Sequence, residues 1–108
     1  CGGFITIDQT EALTAIDVNS GKFTGKENIE KTVLKVNSEA TVEIAKQIRA
    51  RDIGGIIIVD YIDMDNKEDE EIVQNLLLEN LKKDRAKTQV VGFTKLHLLE
   101  MTRKHICS

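Results

Sequence analysis

The sequence predicts a small α/β sandwich on a mixed sheet, with element order β-β-α-β-α-β. Three observations predict it. Short β-branched runs alternate with long apolar stripes at three- and four-residue steps. The run Ile56-Ile57-Ile58-Val59 is apolar at every position, as in a central strand covered on both sides. Strand-helix-strand crossovers are right-handed and lay their two strands parallel.

The elements follow in order. Phe4-Ile5-Thr6-Ile7 reads as a strand, and Asp8-Gln9-Thr10-Glu11 as a turn. Residues 12–18 read as a second strand, antiparallel to the first. Asn19-Ser20-Gly21-Lys22 is rich in turn formers. Thr24-Gly25-Lys26-Glu27 has the spacing of a capping box, so a helix should follow. Ile29, Val33, Val36, Ala40, Ile44 and Ile48 then form one stripe on a helix of roughly six turns. Gly54-Gly55 should end it in the left-handed conformation. A second helix is expected from about residue 67 to residue 86, with Ile72, Val73, Leu76, Leu77 and Leu81 inward. Residues 89–94 read as another strand. Residues 96–101 fit strand or helix and are read as extended.

Composition bounds what such a fold can do. The 108 residues, 41% hydrophobic and 31% charged, suit one core and exclude disorder. No apolar run approaches the ~20 residues of a membrane span. Cys1-Gly2-Gly3 has no signal-peptide character, and without an initiator Met the chain reads as an excised piece. Cys1 and Cys107 form no CxxC pair and fit reduced thiols in the cytoplasm. Aromatics are only 4%, which leaves few rings for stacking on bases. The net charge of −3 is uneven: residues 1–81 carry 8 Lys and Arg against 16 Asp and Glu, and residues 82–108 carry 7 against 2. An acidic body with a basic end suits a cation at one place and a polyanion at another.

Ligands of open α/β sheets bind beyond the C-terminal ends of the strands. Asp17 and Asp60 fall there, 43 residues apart in sequence. On parallel neighbouring strands their carboxylates would emerge side by side and repel unless a cation or proton lay between them. Oxygen ligands suit Mg²⁺, with Mn²⁺ as a substitute, and Mg²⁺ commonly takes one or two carboxylates plus phosphate oxygens. That chemistry matches phosphodiester hydrolysis. Loop capping is the competing account of both aspartates. Asn19 would lie on the same side and orient a water of the hydration shell, or serve as a turn residue. Asp63 and Asp65 read as structural, with Asp65 or Asn66 capping the next helix. Glu68, Asp69, Glu70 and Glu71 read as a solvated helix start that the helix dipole favours. His97 and His105 match no zinc spacing and read as surface groups. Lys82, Lys83, Arg85 and Lys87 either complement the dipole of the second helix or meet a phosphate backbone.

These residues carry a resemblance. Asp8-Gln9-Thr10-Glu11-Ala12-Leu13-Thr14-Ala15-Ile16-Asp17-Val18-Asn19-Ser20-Gly21 resembles the TEAL-AID-NS signature of the ribonuclease E/G family. Arg51-Asp52-Ile53-Gly54-Gly55-Ile56-Ile57 with Val59-Asp60-Tyr61-Ile62-Asp63-Met64 resembles its RD-GG-I-IDFIDM block. Lys83-Asp84-Arg85-Ala86-Lys87 and Leu99-Glu100-Met101-Thr102-Arg103-Lys104 resemble two more blocks in the same order.

The resemblance implies the DNase I-like subdomain of a bacterial endoribonuclease, filling residues 1–108. It puts the family's two metal-binding aspartates on Asp17 and Asp60 and its site asparagine on Asn19. It implies Mg²⁺ as cofactor and single-stranded, A/U-rich RNA as substrate, cut to leave a 5′-phosphate and a 3′-hydroxyl. Lys87, with Arg85 nearby, matches a basic position near the RNA path. His97 stands where the family usually has glycine, so the local backbone is open to change there. The family's S1 domain and 5′-phosphate sensor would precede this segment. Its Zn²⁺-binding CxxC link, which joins subunits of a homo-oligomer, would follow it. The competing function is a scaffold or RNA-binding module inactive alone. A phosphoacceptor domain is a third class, for which Lys95 is poorly placed.

Overall fold

The structure is a computed structural model that describes residues 3–20, 29–64 and 66–106. Five strands and two helices follow one another as β1 (Gly3–Gln9), β2 (Thr14–Ser20), α1 (Ile29–Ala50), β3 (Gly55–Asp60), α2 (Lys67–Leu81), β4 (Thr88–Phe93) and β5 (Leu99–Arg103). The mixed α/β architecture is as expected, with one strand more. The sheet runs β1-β2-β3-β5-β4. β1 and β2 are antiparallel, β2 and β3 parallel, and β5 is antiparallel to both its neighbours. β5 therefore occupies the place beside β3 that the last strand was expected to take. Its buried positions are Leu99, Met101 and Arg103, alternating with half-buried Glu100 and Thr102. An arginine at a core position hid that two-residue period from a hydrophobicity pattern.

β1 runs longer than the sequence suggested, and the turn and β2 keep their expected lengths but lie two residues further along the chain. Thr10 closes the turn: its N–H and hydroxyl both donate to the Leu13 carbonyl at 2.9 Å, and its hydroxyl accepts from the Leu13 N–H at 3.2 Å. Asp8 and Gln9 belong to β1, and Asn19 and Ser20 to β2. The expected capping box at Thr24 to Glu27 lies outside the described residues.

α1 buries Val33, Val36, Ala40, Ile44 and Ile48 as the stripe predicts. Its end differs from expectation. The Asp52 N–H bonds to the Arg49 carbonyl and the Ile53 N–H to the Ile48 carbonyl, at 3.2 and 3.0 Å. This is a Schellman closure with Asp52, not a glycine, in the left-handed position at φ 49°. Ile48 and Ile53, both fully buried, supply its apolar contact. The glycine that needs its freedom is Gly55, at φ 84°.

α2 starts at Asn66, whose side chain accepts from the Asp69 N–H at 2.8 Å. Asp65 lies outside the described residues. The helix stops at Leu81, five residues before the expected end, where the Asp84 N–H caps the Leu81 carbonyl at 2.9 Å. Its buried line is Glu70, Val73, Leu77 and Leu81, while Ile72 is 49% exposed and Leu76 half-buried. Glu70 thus departs from the expectation of a solvated charge run.

Both helices join one core with the inward residues Ile16, Val18, Ile57, Val59, Leu99 and Met101. Ile56 on the other face is 42% exposed, and Ile58 is half-buried. Among the described residues, β3 is therefore covered on one face only. Its apolar run is split by the pleat rather than buried throughout. No helix among the described residues is long and apolar enough to cross a membrane.

Candidate functional site

β2 and β3 run in the same direction, and Asp17 pairs with Asp60 in their register. Neighbouring strands lie about 4.8 Å apart, so the two carboxylates leave the same face as close neighbours. Both are exposed, on the face away from the helices. The Asp60 carboxyl is held above the ordinary carboxylate range. Partial burial is the largest cause, followed by the charges of Asp17 and Asp63 and a hydrogen bond with Asp17. Asn19 follows Asp17 by two residues on β2, which puts it on the same face. It is exposed as well. The structure thus brings Asp17, Asp60 and Asn19 to one corner of the open face.

α1 fixes this corner from the opposite side of the sheet. Asn37 is fully buried. Its amide donates to the Ile62 carbonyl at 2.9 Å, and its Oδ1 accepts from the Ile62 N–H at 3.2 Å. One turn on, the Thr41 hydroxyl meets the Tyr61 hydroxyl at 2.7 Å. Burial pushes the Tyr61 phenol well above its ordinary value, so it stays neutral. The chain leaving Asp60 is therefore clamped at both following residues. Asn37, Thr41 and Tyr61 escaped the sequence reading. The one available signal was a polar pair, Asn37 and Thr41, one helical turn apart on an otherwise apolar face.

The donors gathered here are oxygen atoms: two carboxylates and an amide carbonyl, with a third carboxylate, Asp63, close enough to act on Asp60. That set fits a hard divalent cation such as Mg²⁺ or Mn²⁺. Among the described residues, no group of three or more His, Cys, Asp and Glu could hold a metal.

Arg85 and Lys87 are exposed but lie elsewhere. Thr88, Arg103 and Gly55 share one level of the sheet, at the start of β3. Asp60 lies five residues further along β3, about 16 Å away at ~3.3 Å per residue. The basic cluster and the carboxylate pair therefore mark opposite ends of the sheet.

His97 adopts the left-handed backbone that favours glycine, at φ 62°. Its Nδ1 lies 2.8 Å from Oε2 of Glu70. His105 is exposed, with Nδ1 2.9 Å from the Asp52 carbonyl.

A family model described as the Ribonuclease E/G family matches residues 1–106. The chain belongs to that family. It is 52% identical over 103 residues to Ribonuclease G of Escherichia coli strain K12, covering 95% of this chain and 21% of that protein. It is 51% identical over 107 residues to Ribonuclease E of Synechocystis, covering 95% of this chain and 15% of that protein. It is 46% identical over 107 residues to Ribonuclease E of Buchnera aphidicola, covering 99% of this chain and 11% of that protein. The chain thus spans about a fifth or less of the length of these relatives, and the matched family segment contains Asp17, Asn19 and Asp60.

Proposed function

We propose that this chain is the metal-dependent catalytic subdomain of a ribonuclease E/G-type endoribonuclease. In the proposal it hydrolyses single-stranded, A/U-rich RNA in the cytoplasm, leaving a 5′-phosphate and a 3′-hydroxyl. The observation that carries this reading is the pairing of Asp17 with Asp60 on adjacent parallel strands. Two like charges held side by side form a site whose repulsion a divalent ion relieves.

Asp17 and Asp60 would hold Mg²⁺ through one carboxylate each. When bound, the ion supplies a Lewis acid for the phosphate and a water of lowered pKa. Asn19 orients the attacking water through its amide. Asn37 and Thr41 keep Asp60 in place through Ile62 and Tyr61, so the pair does not splay apart under its own repulsion. Arg85 and Lys87 serve as phosphate contacts remote from the cut. An S1 domain, a 5′-phosphate sensor and a zinc-linked homo-oligomer complete the proposed enzyme.

The test is cleavage of a 5′-phosphorylated A/U-rich oligonucleotide by the intact enzyme. Asp17→Asn and Asp60→Asn should each abolish cutting while the fold persists. Near-wild-type turnover by either variant at saturating Mg²⁺ would overturn the assignment. A scaffold role predicts full RNA binding and no dependence of any cleavage on these two residues.

A further inference from the structure

A second recess opens at the same end of the sheet as the carboxylates, on the opposite, helix-covered face. It lies between the first turns of α2 and the turn that follows β4, and has a volume of about 430 Å³. That is within the range of small-molecule sites. Phe93 forms part of its wall, and Phe93 is level with Leu99, which is level with Val59, the residue before Asp60. Two strand spacings, about 10 Å, separate Phe93 from β3. The Phe93 ring also stands 6.0 Å from Tyr61, the residue after Asp60.

The recess is built rather than loose. The Thr94 hydroxyl accepts from the Leu96 and Leu98 N–H groups at 3.2 and 3.3 Å, and the Thr94 N–H donates to the Leu98 carbonyl at 2.8 Å. His97 sits in this turn at φ 62°, a conformation that disfavours any side chain. Strain of this kind collects at functional sites. Glu70, with an 11% exposed side chain, anchors the imidazole through Nδ1 and leaves the ring 66% exposed. Gln74 is the other wall. A Cβ on Gly92 would lie 3.6 Å from its Oε1, so the carboxamide rests directly over β4. It faces the recess and makes no hydrogen bond among the described residues. Lys67 and Lys95 stand at the rim.

A phosphate alone is a poor occupant, because Glu70 and Glu71 line the same space. An aromatic wall, an exposed imidazole face and an amide with free donors and acceptors suit a different group. Proteins hold unstacked bases of single-stranded RNA by stacking them on aromatic or His rings and bonding their edges. We propose that this recess receives one base of single-stranded RNA that passes round the end of the sheet from the carboxylates on the opposite face. The base stacks on His97 and Phe93, Gln74 reads its edge, and Lys67 and Lys95 meet the flanking phosphates. The inference rests on the nuclease reading, since it supplies that reaction with a base-reading subsite.

The test is an NMR titration of the protein in EDTA with oligouridylate, oligoadenylate and tripolyphosphate. Without metal or cleavage, its outcome is independent of the roles of Asp17 and Asp60. Either oligonucleotide should shift the Gln74 side-chain amide and the His97 ring, and tripolyphosphate should not. Gln74→Ala and His97→Gly should each weaken oligonucleotide binding by about fivefold or more, in line with loss of one stacked base. Ala favours the helix and Gly favours the left-handed backbone, so both variants should fold. Gln74→Ala should also change the ratio of the uridylate and adenylate affinities. Less than a twofold change in both variants would overturn the proposal. So would equal shifts of Gln74 by tripolyphosphate.

Discussion

The two ends of the sheet treat charge in opposite ways. At the Asp60 end, two carboxylates share one corner, and mutual repulsion adds to burial in raising Asp60. At the other end, Arg103 is fully buried between two carboxylates. Its Nε and Nη2 donate to Asp84 at 2.7 and 3.0 Å, and its Nη1 donates to Asp52 at 2.9 Å and to the Ile53 carbonyl at 2.8 Å. Hydrogen bonding to Arg103 holds the Asp84 carboxyl below its ordinary range. This clasp joins β5 to the loops that end α1 and α2. One end therefore secures the fold with paired opposite charges, and the other gathers like charges on an exposed face.

The contrast breaks first at Arg103. Arg103→Met leaves Asp84, with a 1% exposed side chain, without its cation. Removing one partner of a buried pair typically costs about 3–5 kcal/mol. Thermal melting of this variant should fall by on the order of 15 °C or unfold the protein at room temperature. A loss under 3 °C would mean that the clasp carries no stability.

Asn37→Ala is the next largest. It strips the Ile62 N–H and carbonyl of their side-chain partner, at a cost of about 1–3 kcal/mol. Because Ile62 follows Asp60 so closely, cleavage should fall more than stability does. The check is activity at a temperature where melting shows the variant fully folded, with a loss of at least about tenfold expected from a small misplacement.

The smallest effect concerns pH, and the two ends differ in sign. Asp84 contributes stability above the ordinary carboxylate value, which is lost as pH falls through its lowered folded value. Asp60 is raised, so the folded state takes up its proton first. Stability should therefore rise slightly as pH falls from the raised Asp60 value toward the ordinary value of 3.8, before the Asp84 loss sets in. Denaturation of Asp60→Asn across this window should lack the initial rise. A rise that survives the substitution would assign it to another group.

The carboxylate corner was legible because its logic is local. Asp17 and Asp60 each follow an apolar run that reads as a strand, and a parallel pairing aligns them. The clasp was hidden because it is made by tertiary pairing. Arg103 sits at an inward position of β5, yet an arginine reads as solvent-facing, and with it the strand lost its alternation. Asp84 looked like part of a basic cluster, although it turns the chain back under α2. Glu70 looked like one more acid at a helix start until His97 approached from a turn 27 residues away. Helix α1 was legible in its stripe but not in its end, since an aspartate took the place expected of glycine.

The most direct measurement of the central claim is the anomalous difference map of crystals soaked in Mn²⁺. A peak between Asp17 and Asp60, absent in Asp60→Asn crystals, is the predicted result. With both carboxylates ordered, no peak at that corner, or one that persists without Asp60, would contradict the account.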